Sequence, residues 1–251
     1  MHTNIAVVTG ASSGIGRACA HALVAQGWTT ICVGRDAQKL QDTIAALPSE
    51  YRGLAQAMQC DVTDPDAVQA LFDDVYKRYG HLDLLFNNAG INQRVATPDE
   101  VSAVEWRNVL ATNLDGAFYC LSHAFRIMRA QSPQGGRIIN NGSISAHVPR
   151  PSSISYAASK AAVTGLTRGA ALDGRPFNIA VGQIDVGNVA SAMTEKMASG
   201  VLQADGSVRA EARMEMSSVA TTFMAMVNLP LDANIFQVTV MATGMPYVGR
   251  G

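Results

Sequence analysis

Long hydrophobic runs are missing from this sequence. No stretch approaches the roughly 18 consecutive apolar residues that a bilayer span requires, so the chain is not expected to enter a membrane. Met1-His2-Thr3-Asn4 carries no basic region, and the apolar run after it is short, so no signal peptide is expected and the cytoplasm is the expected compartment. Charge is scarce and balanced: 19 Lys+Arg against 20 Asp+Glu leave a formal net charge of −1. Nothing in that balance points to nucleic acid or to an anionic membrane surface. Cys19, Cys32, Cys60 and Cys120 are far apart and lack the spacing of metal ligands. They read as buried free thiols, not as disulfides or a zinc site. Linkers, repeats and low-complexity segments are also absent, so residues 1–251 are expected to form one domain.

What is present is a globular composition, with 48% hydrophobic and 16% charged residues. Ile5 to Thr9 is a short apolar strand. Gly10-Ala11-Ser12-Ser13-Gly14-Ile15-Gly16 follows and leads into an alanine-rich helix that Gly27 closes. Strand, glycine turn and helix form the context in which such a turn holds a dinucleotide. The glycines let the backbone approach a pyrophosphate, and the helix N-terminus offers unpaired N–H groups to it.

The second strand, Thr29 to Val33, ends at Gly34-Arg35-Asp36. An acidic side chain near this place holds a ribose 2′-OH, whereas an arginine accommodates a 2′-phosphate. Gly34 stands where the acid would be and Arg35 follows, which favours NADP(H) over NAD(H). Asp36 keeps the NAD(H) reading open, and Arg35 also reads as a solvated charge at a helix start.

Further along, a helix is expected from Asp36 to Leu47 and a strand from Gly53 to Cys60. Asp61 reads either as a partner for the adenine amine or as a turn aspartate, with Val62 beside it. Thr63 or Asp64 caps the helix from Pro65 to Tyr79. Leu82 to Phe86 is a fourth strand, ending in Asn87-Asn88-Ala89-Gly90, whose small residues would let the backbone lie against a ribose. A helix from about Val101 to Ala130 contains Asn113, a poor helix-interior residue among apolar neighbours. Holding a water, bending the helix or plain packing would each explain it.

Gly136 to Asn140 is a fifth strand with Ser143 just past its end, and Phe177 to Gly182 a sixth. A short helix near Met193 and a last helix from about Ser218 to Val227 follow, and Ile235 to Val240 gives a seventh strand. Alternating strands and helices imply an α/β fold, a doubly wound, Rossmann-type parallel sheet of seven strands with helices on both faces. Its ligands belong at the carboxyl ends of the strands.

Ser143, Tyr156 and Lys160 carry the chemistry. Tyr156 and Lys160 are four apart and share a helix face. A phenol that acts near neutral pH must come down from a pKa of about 10, and three units require about 4 kcal/mol. One ammonium about 4 Å away, at an effective dielectric near 20, supplies about 4 kcal/mol. His147 reads as a surface loop histidine or a pocket wall.

With these motifs in place, the sequence resembles the classical short-chain dehydrogenase/reductase family over roughly residues 4–186. Thr9 to Gly16 is similar to its glycine signature and Asn87 to Gly90 to its second motif. Asn113, Ser143, Tyr156 and Lys160 resemble its catalytic tetrad in order and spacing. The resemblance implies an oxidoreductase that moves a hydride between a nicotinamide cofactor and a ketone or secondary alcohol, in a homo-oligomer, tetramer or dimer. Tyr156 would be the acid–base, Ser143 would hold the substrate oxygen, Lys160 the nicotinamide ribose, and Asn113 a water that relays protons. Gly182 and Ile184 keep their places after the sixth strand, but the family's proline and threonine are missing there. A non-redox enzyme on the same fold, or a dinucleotide sensor without chemistry, is the competing reading.

Residues 187–215 lack periodicity and are the expected substrate lid. Eight of the eleven methionines fall after residue 190, which suits a mobile apolar cover as well as ordinary packing. With few charges near the site, the expected substrate is a mainly apolar small molecule. The last residues, Met245 to Gly251, are apolar enough to pack on another subunit.

Overall fold

In the computed structural model, residues 3–191, 194 and 199–248 are described. The expected helix near Met193 lies outside the described residues, as does the end of the chain from Gly249.

β1 (Ile5–Thr9) is buried along its whole length, which is why its sequence is a continuous apolar run instead of an alternating one. It lies at the centre of a seven-stranded sheet in the order β3-β2-β1-β4-β5-β6-β9. The other strands are β2 (Thr29–Gly34), β3 (Ala55–Gln59), β4 (Leu84–Asn87), β5 (Gly136–Asn141), β6 (Ile179–Val186) and β9 (Gln237–Val240). Every pairing in it is parallel. The strand order reverses between β1 and β4, and ligands bind at such a switch point in open α/β sheets. A two-stranded hairpin of β7 (Val201–Leu202) and β8 (Val208–Arg209) stands apart from the sheet.

Successive side chains of a strand point to opposite faces, and the two cores divide accordingly. Val7, Ile31, Leu85 and Ile138 pack under α3 (Pro65–Tyr79), α5 (Gly116–Ala130) and α6 (Ile154–Gly174). Ala6, Val8, Cys32, Phe86 and Ile139 pack on the other face with α1 (Gly14–Ala25), α2 (Ala37–Ala45) and α7 (Met216–Val227). Phe86 of β4 meets Phe223 of α7 with ring centroids 4.5 Å apart. All four cysteines are buried and free, and burial pushes their thiols up.

The helix ends follow the local sequence. Asp64 caps α3 by accepting from the N–H groups of Asp66 and Ala67, Pro65 opens the helix, and Gly80 closes it in the left-handed conformation. Asp36 caps α2 through Lys39 N–H. Ser102 and Glu105 form a reciprocal capping box on α4 (Ala103–Leu110).

Several expected bounds change. The single helix read from Val101 to Ala130 is α4 and α5 joined by a π-helical turn at Ala111–Asp115, with Asn113 inside that turn. The strand placed from Gly53 begins at Ala55, because Ser49–Leu54 is a turn of 3-10 helix.

Candidate active site

The carboxyl ends of β1, β2, β4, β5 and β6 open into a cavity of about 720 Å³. Gly10, Ser12, Ser13, Gly14 and Ile15 form its floor, and Gly34, Arg35, Asp61 and Val62 line one side. Asn88, Ala89 and Gly90 come from β4, Ser143 from beyond β5, and Tyr156 and Lys160 from α6.

The glycine turn is held by close contact. Gly10 has φ +66° and Gly14 φ +52°, the region that favours glycine. Gly16 does not reach the cavity; a Cβ on it would stand 2.3 Å from the Gly10 carbonyl oxygen, so it brings α1 against the turn. Ser13 precedes α1 without capping it through its side chain, leaving first-turn N–H groups facing the cavity.

Thr9 Oγ1 accepts from the N–H groups of Asn88 and Ala89, both at 2.9 Å. Asn88 Nδ2 donates to Thr9 O at 2.9 Å, and Asn88 Oδ1 accepts from Asn141 Nδ2 at 2.9 Å. One asparagine thus ties the ends of β1, β4 and β5 together. Asn141 Oδ1 is buried and has no partner. An orphaned acceptor, uncapped N–H groups and a glycine cradle together fit a dinucleotide.

Arg35 is exposed at the cavity edge, its carbonyl held by Gln59 Nε2. Asp36 does not line the cavity; it is occupied with capping α2 and with Lys39, 3.3 Å away. Asp61 lines the cavity and also serves its turn, where one oxygen accepts from Thr63 N–H and Oγ1.

Tyr156 sits in the first turn of α6, which no side chain of its own flank caps. Gln93 does so from a distant loop: its Oε1 accepts from the N–H groups of Ser155 and Tyr156, at 2.5 and 3.0 Å. Burial pushes the Tyr156 phenol above its ordinary value, while a hydrogen bond with Ser143 and the Arg150 charge pull it down. Lys160 Nζ donates to the Asn141 carbonyl at 2.7 Å and lies 5.7 Å from the centre of the Tyr156 ring. Burial lowers the Lys160 ammonium to about 8 against the opposing pull of Asp185.

The ammonium expected beside the phenol is also held by a backbone carbonyl. Helical spacing fixes the shared face but not the direction of a four-carbon side chain, and the Asn141 carbonyl takes the ammonium. Asn113, in the π-helical turn, is held by its side chain. Its Oδ1 accepts from Ile91 N–H at 2.8 Å, and its Nδ2 donates to Ile91 O at 2.9 Å and to Ser159 Oγ at 3.1 Å. The side chain joins three elements.

The family model described as short chain dehydrogenase matches residues 4–201. The chain belongs to the short-chain dehydrogenase family. It is 34% identical over 221 residues to a 3beta-hydroxysteroid dehydrogenase of Mediterraneibacter gnavus, covering 88% of this chain and 79% of that protein. It is 41% identical over 169 residues to a cis-4-hydroxycyclohexanecarboxylate dehydrogenase of Sinomonas cyclohexanicum, covering 67% of this chain and 66% of the other. The structure of an actinorhodin polyketide ketoreductase variant with NADPH superposes with a TM-score of 0.82 at 26% identity, covering 95% of each chain. This short-chain dehydrogenase is therefore an oxidoreductase, and its neighbours bind nicotinamide dinucleotides.

Within this dehydrogenase, Gly182 and Ile184 are not where the sequence put them. β6 continues to Val186, paired on both sides, so both residues lie inside the strand and away from the cavity. Gly182 lets Ile235 O approach to 2.6 Å of its Cβ direction, and Ile184 is core. Gly187, Asn188 and Val189 line the cavity in their stead. Ile184 and Val186 alternating with polar residues beyond Gly182, followed by a second glycine, were the available signal.

Gln93 and Arg150 were also missed. Arg150 lines the cavity and pairs with the buried Glu211 at 2.5 Å, while Asn188 Oδ1 accepts from Arg150 Nη2 at 2.6 Å. His147 is an exposed loop residue and does not line the cavity; its Nε2 lies 3.2 Å from Asp185.

Proposed function

We propose that this protein reduces a ketone, or oxidises the matching secondary alcohol, with Tyr156 as the acid–base group and NADP(H) as the preferred dinucleotide. The observation that carries the reading is the convergence of Ser143, Tyr156 and Lys160 on the cavity that the glycine turn floors. A nicotinamide dinucleotide, when bound, supplies or accepts the hydride.

The chain's own residues manage the oxygen and the proton. Ser143 donates a hydrogen bond to the substrate oxygen and orients it toward the phenol. With its pKa held up by burial, Tyr156 carries its proton at neutral pH, the form that reduction needs. Lys160, near pKa 8, is a second proton store behind it and a donor toward ribose hydroxyls. Asn113 positions Ile91 and Ser159 around this group. Gly10, Ser12, Ser13, Gly14 and Ile15 hold the diphosphate, and Asp61, Val62, Ala89 and Gly90 surround the adenosine. Arg35, exposed and unobstructed by Asp36, supports NADP(H) by offering its guanidinium to a 2′-phosphate.

Ile91, Val95, Ile144, Val189, Leu202 and Val208 give the substrate end an apolar wall, with Arg150 as the charged member. This supports a mainly apolar ketone or alcohol. The hydroxysteroid and hydroxycyclohexanecarboxylate relatives support one in which the carbon lies on a ring. The β7–β8 hairpin, with residues on the cavity, is the proposed lid. Exposed Phe118 on α5, Leu172 on α6 and Phe236 before β9 support a homo-oligomer.

The test follows reduced-nicotinamide absorbance with each dinucleotide over a panel of cyclic ketones and alcohols. Turnover is expected, falling about a thousandfold in Tyr156→Phe. Undiminished turnover in that variant would sink the acid–base assignment, and tight dinucleotide binding without turnover on any substrate would favour a sensor.

A further inference from the structure

Tyr156 stands at the weak end of its helix. The first N–H groups of any helix have no partner within it. Tyr156 is the third residue of α6, and Ala157 N–H, bonded to Ser153 O at 2.9 Å, is the first that the helix satisfies itself. Ser153 precedes the helix without capping it, its hydroxyl donating instead to Arg150 O at 2.6 Å. Lys160 lies one turn further in, where the backbone bonds are internal.

Gln93 supplies the cap from the loop after β4. Its Oε1 accepts from Ser155 N–H at 2.5 Å and from Tyr156 N–H at 3.0 Å. Its Nε2 donates to Ser152 O at 3.0 Å and to Arg94 O at 3.2 Å. Two lone pairs and two hydrogens are all that a glutamine amide offers. Gln93 borders the cavity, yet its whole amide is committed to the protein, so its work is to hold and not to bind. Ser152 requires that hold. Its φ of +58° is left-handed, a conformation that serine adopts at a cost. Its carbonyl also accepts from Ala96 N–H at 3.3 Å.

The far side of Tyr156 is held as well. Tyr156 O accepts from Ser159 Oγ at 2.8 Å, and Ser159 Oγ accepts from Asn113 Nδ2 at 3.1 Å. Asn113 also binds both backbone groups of Ile91, two residues before Gln93. From Asn113, one arm reaches the Tyr156 carbonyl through Ser159, and the other reaches its N–H through Ile91 and Gln93. The backbone of Tyr156 is gripped on both sides by groups that trace to one π-helical turn.

We propose that Gln93 is a positioning residue for the Tyr156 phenol. It fastens the open end of α6 to the loop after β4, and so sets where the acid–base group meets the substrate oxygen. The proposal rests on the acid–base role of Tyr156. Loss of Gln93 frees the first turn of α6 but leaves Lys160 Nζ on Asn141 O and Asn88 Nδ2 on Thr9 O. The damage therefore falls on turnover and spares the dinucleotide.

The test uses Gln93→Met, which keeps the length of the side chain without its amide, and Gln93→Asn, whose amide is one methylene short. Kinetics are read at a temperature where circular dichroism shows each variant folded. Turnover, kcat, is expected to fall by about tenfold to a hundredfold, the scale for a reacting group displaced by about 1 Å. The loss should be the same for every cyclic ketone and alcohol on the panel. The dinucleotide dissociation constant, from fluorescence titration, is expected to stay within about twofold, since binding energy common to all states is untouched. A side chain that only supported the fold would lower the unfolding temperature without this split. In amide exchange read by NMR, Ser155 and Tyr156 are expected to be protected in wild type. They should exchange about tenfold faster in both variants, the loss of one hydrogen bond each.

Folded Gln93→Met with wild-type kcat would overturn the proposal. So would a loss that appears in KM and varies with the substrate, the mark of direct contact. If neither variant folds, the wild-type amides decide: slow exchange at Ser155 and Tyr156 supports the cap, and free exchange overturns it. An active Tyr156→Phe defeats the acid–base reading, whereas an inactive one beside a fully active Gln93→Met defeats only the role of Gln93.

Discussion

The backbone of Gly16 is packed so tightly on Gly10 that a methyl on Gly16 would meet the Gly10 carbonyl oxygen at 2.3 Å and Asn88 Nδ2 at 2.6 Å. Both obstacles are parts of the dinucleotide cradle, and neither is a flexible chain end. Gly16→Ala is therefore expected to destabilise the fold by about 1–3 kcal/mol, the usual range for overpacking, and to weaken dinucleotide binding in the same step. Gly14→Ala has open space around it, but its φ of +52° strains any other residue, at about 1–2 kcal/mol. Thermal unfolding and a fluorescence titration of dinucleotide binding separate a clash from a strain.

Among the described residues Arg35 has no competing ion pair, and Asp36 is taken up by Lys39. Arg35→Ala is expected to weaken NADP(H) by on the order of tenfold, the loss of one charge-assisted hydrogen bond. NAD(H) should change little. Equal loss of both dinucleotides, measured by the same titration, would make Arg35 an ordinary surface charge.

Asn113 satisfies both the N–H and the carbonyl of Ile91. Asn113→Ala leaves both without a partner and is expected to cost about 2 kcal/mol, within the range for stranding buried polar groups. Urea denaturation reads this directly. Activity should fall further than stability, because Ser159, one residue from Lys160, loses the bond from Asn113 and keeps only its own to the Tyr156 carbonyl.

Burial pushes the Glu211 carboxyl up, but hydrogen bonds from Arg150, Gln203 and Asn188, with the Arg150 charge, overcome this and hold it at about 2. A carboxyl depressed in the folded state stabilises the fold above its unfolded value, near 4.3. That contribution is lost as pH falls from there through about 2. Glu211→Gln is therefore expected to lower stability by about 2 kcal/mol at pH 7, where it strands a mostly buried guanidinium. The gap between variant and wild type should narrow at pH 3 and close near pH 2, as read from urea midpoints.

Much of this arrangement was legible in the sequence, for physical reasons. The apolar runs of β1, β2 and β4 are continuous because both faces are covered, and the glycine turn must be glycine to bring α1 against β1. What stayed hidden depends on partners distant in sequence. Gly182 looked like the end of a strand, yet it is glycine because the Ile235 carbonyl passes over it. Gln93 caps α6 from across the cavity, which no local capping pattern reveals. Helical spacing put Lys160 on the face of Tyr156 but could not tell that the Asn141 carbonyl would hold its ammonium. Asp185, a lone aspartate in a strand, likewise gave no sign that Gln237 and His147 would gather around it.

Arg150 belongs at once to the wall of the cavity and, through Glu211, to the chain just past the β7–β8 hairpin. Gln203 Nε2, between the two hairpin strands, donates to the same carboxylate at 3.0 Å. Work done at one end of such a connection must appear at the other, since coupling free energy is reciprocal. A molecule that draws Arg150 toward itself loosens the hairpin by the amount that the hairpin resists it. Amide exchange in Val201–Arg209 is then a gauge of what occupies the cavity, and a substitution at Gln203 retunes ligand affinity through the Glu211 carboxylate.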